Sequence, residues 1–172
     1  PKAIMFENVR GMLDRAFDGY RDFIELRLRR NGYKVSWRLL NACDFGVPQL
    51  RPRVVMVALK RTYAVDFDDN FKKSPSPSVG KALFDLMAKN GWRGAKSWAD
   101  QADRVAPTLV GGSKKHGGPD LGPSRARAEW ASLGVEGRTI ADDSPEPDHF
   151  GMPRLTVRMA ARIQGFPDSW EF

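Results

Sequence analysis

The turn Gly46-Val47-Pro48 constrains this chain more than any other stretch, because no helix can run through it. The apolar, β-branched run at residues 54–59 follows it and reads as a short buried strand. Between turn and strand lie Gln49, Arg51 and Arg53, alternate residues that an extended chain points the same way. An amide and two planar guanidiniums on one face suit a phosphate, a carboxylate or a base edge. A solvated edge strand is the alternative on local features alone.

Upstream, residues 3–6 form an apolar strand expected to be buried, with Glu7-Asn8-Val9 at its C-terminal end, where open α/β sheets carry ligands. A carboxylate there is a candidate for chemistry, and a cap or surface acid is the other reading. Leu13, Phe17, Tyr20, Ile24 and Leu28 recur at helical spacing, predicting a helix over residues 11–31 that ends at Asn31-Gly32. Residues 33–40 alternate as a half-buried strand. No helix separates it from the run at 54–59, so the two predict an antiparallel hairpin at a sheet edge.

Residues 60–78 have a linker composition, rich in Asp and then in Lys, Ser and Pro. A short amphipathic helix follows over residues 79–90, after which periodicity largely disappears up to residue 153, save for a short helix within 120–133. That stretch contains the Gly-Lys loop at residues 111–118, which can offer amides and cations to a phosphate backbone or lie as a flexible surface loop. A terminal helix at 156–163 has Met159, Ala160 and Ile163 as its inner stripe and stops at Gly165-Phe166-Pro167. The formal net charge of +7 favours a polyanionic partner. The single cysteine, Cys43, rules out an internal disulfide and a thiolate cluster, and reads as a small apolar residue. His116 and His149 are too isolated for a metal site. A cytoplasmic protein is expected, with no membrane segment.

Three ordered blocks resemble the cytosine-5 DNA methyltransferases: Glu7-Asn8-Val9, the Gln49-x-Arg51-x-Arg53 segment after its Gly-Val-Pro turn, and Leu155-Thr156-x-Arg158 running to Gln164-Gly165-Phe166-Pro167. The resemblance implies an α/β fold: the C-terminal part of a doubly wound sheet with an antiparallel hairpin, plus a smaller irregular target-recognition lobe. It divides the chain into the later half of a catalytic domain (1–71), a target-recognition region (72–153) and a helix returning to the catalytic domain (154–172). Both chain ends look cut, as if this were a fragment or one subunit of a split enzyme, completed by a missing N-terminal part or a complementary subunit.

The implied function is base flipping in double-stranded DNA and transfer of a methyl group from S-adenosylmethionine to carbon 5 of the extruded cytosine. The resemblance assigns Glu7, as an acid in a dry pocket, to ring nitrogen 3, with Asn8 ordering the loop around it. Arg53, and Arg51 beside it, would hold the base carbonyl and an adjacent phosphate. Gln49 and Arg154 would be structural at the site. Thr108 (in a Thr-Leu pair), Lys114, Lys115, Arg125 and Arg127 would contact DNA. The family's Pro-Cys-Gln nucleophile and Gly-rich cofactor turn do not occur in these 172 residues, so most of the cofactor site lies outside them and the chain alone should be inactive. Met159 stands where the family usually has Glu. A non-catalytic DNA-binding module or methyltransferase remnant is the rival reading, and a restriction-modification setting fits the family.

Overall fold

The computed structural model describes residues 1–63, 71–111 and 120–172, which form two compact units. One unit comprises Pro1–Ala42 and Pro52–Lys73, the other Cys43–Arg51 and Ser74–Phe172. Part of the linker stretch and most of the Gly-Lys loop, including Lys114, Lys115 and His116, lie outside the described residues.

In the first unit β1 (Ala3–Val9), β2 (Tyr33–Asn41) and β3 (Pro52–Lys60) make a three-stranded sheet in the order β1-β3-β2. Both ladders are antiparallel. The expected hairpin of β2 and β3 is present, yet β3 lies in the middle, because its other edge pairs with β1. Of the expected part of a doubly wound sheet with an antiparallel hairpin, the described residues form a three-stranded antiparallel sheet. Since β1 and β2 both oppose β3, they run in the same direction and need a crossover, which α1 (Asp18–Arg30) supplies.

The helix begins later than its periodicity predicts. Asp14 takes an extended conformation between two single-turn 3-10 segments, and only then does α1 start. Gly32 at φ +77° ends it, a backbone state open chiefly to glycine. Tyr33, Val35, Met56 and Ala58 form the buried core, with Ile4, Ile24 and Leu28 against it. β1 departs from the expectation of burial: Met5, Phe6 and Val9 are exposed, because β1 is an edge strand among the described residues.

The second unit is helical. α2 (Val79–Ala88), α3 (Ala95–Gln101), α4 (Ser124–Ala131) and α5 (Val157–Ile163) surround a core that includes Leu83, Met87, Trp98, Trp130, Leu155 and Met159. Ser78 caps α2 by accepting from the Lys81 amide. α3 carries no helical signal strong enough to read; its inner face is Ala95 and Trp98, and α2 approaches so closely that a Cβ on Gly80 would lie 2.0 Å from the Ala99 carbonyl oxygen. On α5 the inner residues are Met159, Ala161 and Ile163, so Ala161 replaces the expected Ala160. Thr156 and Met159 form a reciprocal cap: the Met159 amide donates to Thr156 Oγ1 at 3.2 Å, and the Thr156 amide to Met159 Sδ at 3.5 Å. The sulfur thereby fills the helix-start position usual for a carboxylate. No described helix is long and apolar enough to cross a membrane.

Candidate functional site

The β1–β3 register explains how two distant motifs meet. Glu7 lies opposite Val55 and Val9 opposite Arg53, so Glu7 and Arg53 are diagonal neighbours on one face of the sheet. Arg53 Nε lies 2.7 Å from Glu7 Oε1 in an ion pair, while its Nη1 donates to the Pro52 carbonyl. The Glu7 side chain is 54% exposed and that of Arg53 21%. The dry pocket expected around Glu7 is therefore not furnished by the described residues. Asn8 Oδ1 accepts from the Val9 amide at 2.8 Å and so orders the end of β1. Behind this pair lies an open groove of about 370 Å³, bordered by Phe6, Glu7, Asn8, Met12, Tyr20 and Trp37. The Trp37 indole nitrogen is buried there without a hydrogen-bond partner among the described residues.

Gln49, Arg51 and Arg53 do not share one strand face, because β3 starts at Pro52 and the preceding segment belongs to the second unit. Gln49 is fully buried, and its side-chain amide has no hydrogen-bond partner among the described residues. Its structural bond is made by the backbone instead, the Gln49 amide donating to the Val47 carbonyl at 2.7 Å. Next to it a short parallel bridge joins Gln49 and Ala106. The Thr108 hydroxyl donates to the Leu50 carbonyl. Cys43 sits in a 3-10 turn with Sγ 3.9 Å from Asp44 Oδ1.

The remaining sequence-predicted contacts scatter through the second unit. Arg125 projects from α4 with 94% of its side chain exposed, 3.6 Å from Glu129. Arg127 is drawn inward instead, 3.6 Å from the buried Asp120 and donating to Ser124 Oγ. Asp120 was not among the residues expected from sequence; its Oδ1 accepts from the Gly122 amide, and the Asp-x-Gly turn signal could have found it. Arg154 donates to Thr139 Oγ1 at 3.1 Å. Arg162, likewise not expected, binds the Ala82 carbonyl and the carboxylates of Asp85 and Asp168. Those bonds hold both carboxyls below the usual range and push the guanidinium higher still. Asp143 is lowered as well, first by the Ser144 amide and then by Lys89. Among the described residues no group of three or more His, Cys, Asp or Glu side chains could hold a metal ion.

The model of the C-5 cytosine-specific DNA methylase family matches residues 1–172. Among curated relatives, the type II methyltransferase M.NaeI of Lentzea aerocolonigenes is 54% identical over 175 residues, covering 100% of this chain and 42% of the relative. M.NgoMIV of Neisseria gonorrhoeae is 46% identical over 185 residues, covering 100% and 55%. The chain thus spans about half the length of these relatives. A crystal structure of a putative DNA modification methyltransferase encoded within an Escherichia coli prophage superposes with a TM-score of 0.56 at 22% identity, covering 100% of this chain and 61% of that one, a likeness of fold.

Proposed function

The chain belongs to the C-5 cytosine-specific DNA methylase family, and on that premise we propose that it forms the base-holding and target-recognition part of a DNA cytosine-5 methyltransferase. The observation that carries this reading is the Glu7–Arg53 pair, which joins two of the family's blocks at 2.7 Å. In this reading Arg53 holds the carbonyl oxygen of a flipped cytosine and stabilises the negative charge that develops there. Glu7 hydrogen-bonds or protonates ring nitrogen 3, which makes the base electrophilic. Asn8 keeps the end of β1 in place, and Arg51 offers a second guanidinium to an adjacent phosphate. Closure of the site by DNA and by polypeptide beyond these residues would exclude the water that now reaches Glu7.

The family's methyl donor, S-adenosylmethionine, finds no cradle among the described residues. β1 runs into a 3-10 turn that contains a single glycine, Gly11, whereas a nucleotide-like donor needs several backbone amides exposed by a glycine-rich strand-to-helix turn. The donor site and the cysteine nucleophile are accordingly assigned to polypeptide outside these 172 residues, which the greater length of the relatives supports. Residues 1–71 are read as catalytic domain, 72–153 as the target-recognition region and 154–172 as the return helix. Arg125 and the loop lysines Lys114 and Lys115 are read as phosphate contacts, Arg127 as a support for the turn at Asp120, and Arg154 as a structural residue. The setting is a bacterial restriction-modification enzyme in the cytoplasm.

The test is methyl transfer from labelled S-adenosylmethionine to unmethylated duplex DNA. The 172-residue chain should remain at background and the full-length protein should turn over at carbon 5 of cytosine. Turnover by the chain alone would overturn the division of labour. A full-length protein that binds DNA but never methylates would favour the non-catalytic binding module.

A further inference from the structure

We propose that Arg138 is a specificity-determining residue of the second unit, whose guanidinium reads the major-groove edge of a guanine in the target site. This deepens the methyltransferase reading and rests on it.

The backbone around Arg138 is fixed. The Glu136 amide donates to the Pro153 carbonyl at 2.9 Å, and the Gly137 carbonyl accepts from the Leu121 amide at 2.9 Å. The Arg138 amide donates to Glu136 Oε1 at 2.9 Å. Val135, just upstream, is fully buried. Gly137 presses against α4, where an added Cβ would lie 3.2 Å from Arg127 Cγ and 3.4 Å from Arg127 Cα. The stem of Arg138 is thus anchored to the core and to α4, all within one compact unit.

The side chain is not anchored. It is 81% exposed, and Glu136 holds its Nε only at 4.0 Å. A pair so open to water is worth little, so the guanidinium can leave it for a ligand at small cost. Its neighbours are more firmly engaged: Arg127 turns to the buried Asp120 and to Ser124, and Arg154 donates to Thr139. Arg127 and Arg138 line one open groove of about 320 Å³ with Ser124, Ala128 and Met152. Arg138 therefore sits beside α4, the helix that carries the phosphate contact assigned to Arg125. Base readout needs a donor fork held in register, and a rigid stem with a free guanidinium supplies it.

Charge separates a base edge from a phosphate. The Glu136 carboxylate stays on the Arg138 amide, so a phosphate on this guanidinium would lie close to a second negative charge. Guanine instead presents O6 and N7, two neutral acceptors that match the paired donors of an arginine.

The experiment uses the full-length protein as wild type, Arg138→Ala and Arg138→Gln, with Arg125→Ala as the phosphate comparison. Each is allowed to select from a randomised pool of duplexes, which is sequenced before and after binding. Wild type should enrich sites with guanine fixed at one position that Arg138→Ala relaxes, losing about tenfold to a hundredfold of the preference. Arg138→Gln should move the preference there towards adenine, whose N6 and N7 suit an amide. Replacing that guanine by 7-deazaguanine, which lacks the N7 acceptor, should weaken wild-type binding about tenfold and leave Arg138→Ala unaffected. The slope of log affinity against log salt should hold in Arg138→Ala and fall by about 0.9 in Arg125→Ala. An unchanged preference in Arg138→Ala would overturn the proposal, whether affinity falls with a shallower salt slope, as for a phosphate contact, or stays the same, as for a solvated side chain. A wild type that selects no guanine would overturn it too. A wild type that selects sites yet never methylates them would instead overturn the methyltransferase reading, while the variants would still decide Arg138.

Discussion

Replacing Glu7 by Gln separates chemistry from structure, because the two effects have different sizes. The substitution keeps the shape and an oxygen facing Arg53 but removes the charge and the acid. The ion pair spans 2.7 Å, yet the Glu7 side chain is 54% exposed. A pair so open to water is worth about 0.2–1 kcal/mol, and the amide retains part of that. The melting temperature of a chain this size should therefore fall by no more than about 2–4 °C. General acid assistance is worth about 10²–10⁴-fold, or roughly 3–5 kcal/mol of barrier. Single-turnover methyl transfer by the full-length protein should fall by that factor while DNA affinity holds. Arg53→Ala should instead weaken both, since its charge acts on the bound base as well as on the transition state. A larger drop in melting temperature with normal single-turnover kinetics would make Glu7 a structural residue and refute the assignment.

Arg162→Ala should destabilise the second unit by about 2–3 kcal/mol, mostly through removal of the charged bond to the Ala82 carbonyl, since the pairs with Asp85 and Asp168 are largely exposed. Because Arg162 depresses both carboxyls, its pairs stabilise fully above the ordinary carboxylate value of 3.8 and are lost as the pH falls through the lowered folded values. The gap between wild type and variant in urea titrations should thus narrow in acid towards the part carried by the Ala82 carbonyl, and a gap that widens well below pH 3 would contradict this. Gly80→Ala forces α2 and α3 apart and should cost about 1–3 kcal/mol or more by overpacking, so an unchanged thermal melt would refute the close approach. Replacing Lys114 and Lys115 with Ala should reduce the slope of log affinity against log salt by about 0.9 for each phosphate no longer neutralised, and an unchanged slope would remove the loop from the interface.

Local signals in the sequence determined a good deal here. The spacing of Ile24 and Leu28, the Asn31-Gly32 stop, the alternation of Tyr33, Val35 and Trp37, and the Gly165 stop all depend on neighbours a few residues away. Three ordered motifs pointed to the family for the same reason, since each is contiguous. Tertiary pairing decided the rest. Nothing local places β3 between β1 and β2, or says that Met5 and Phe6 lie exposed, because an apolar run has the same pattern whether or not its edge is covered. α3 was illegible because Ala95 and Trp98 are too few to set a period, and its packing depends on Gly80 some way back in the chain. Arg127 and Arg125 look alike in sequence; the buried carboxylate of Asp120 takes one inward and leaves the other in solvent. Likewise nothing local says that the Thr108 hydroxyl meets the Leu50 carbonyl, a partner distant in sequence that only the folded chain brings within reach.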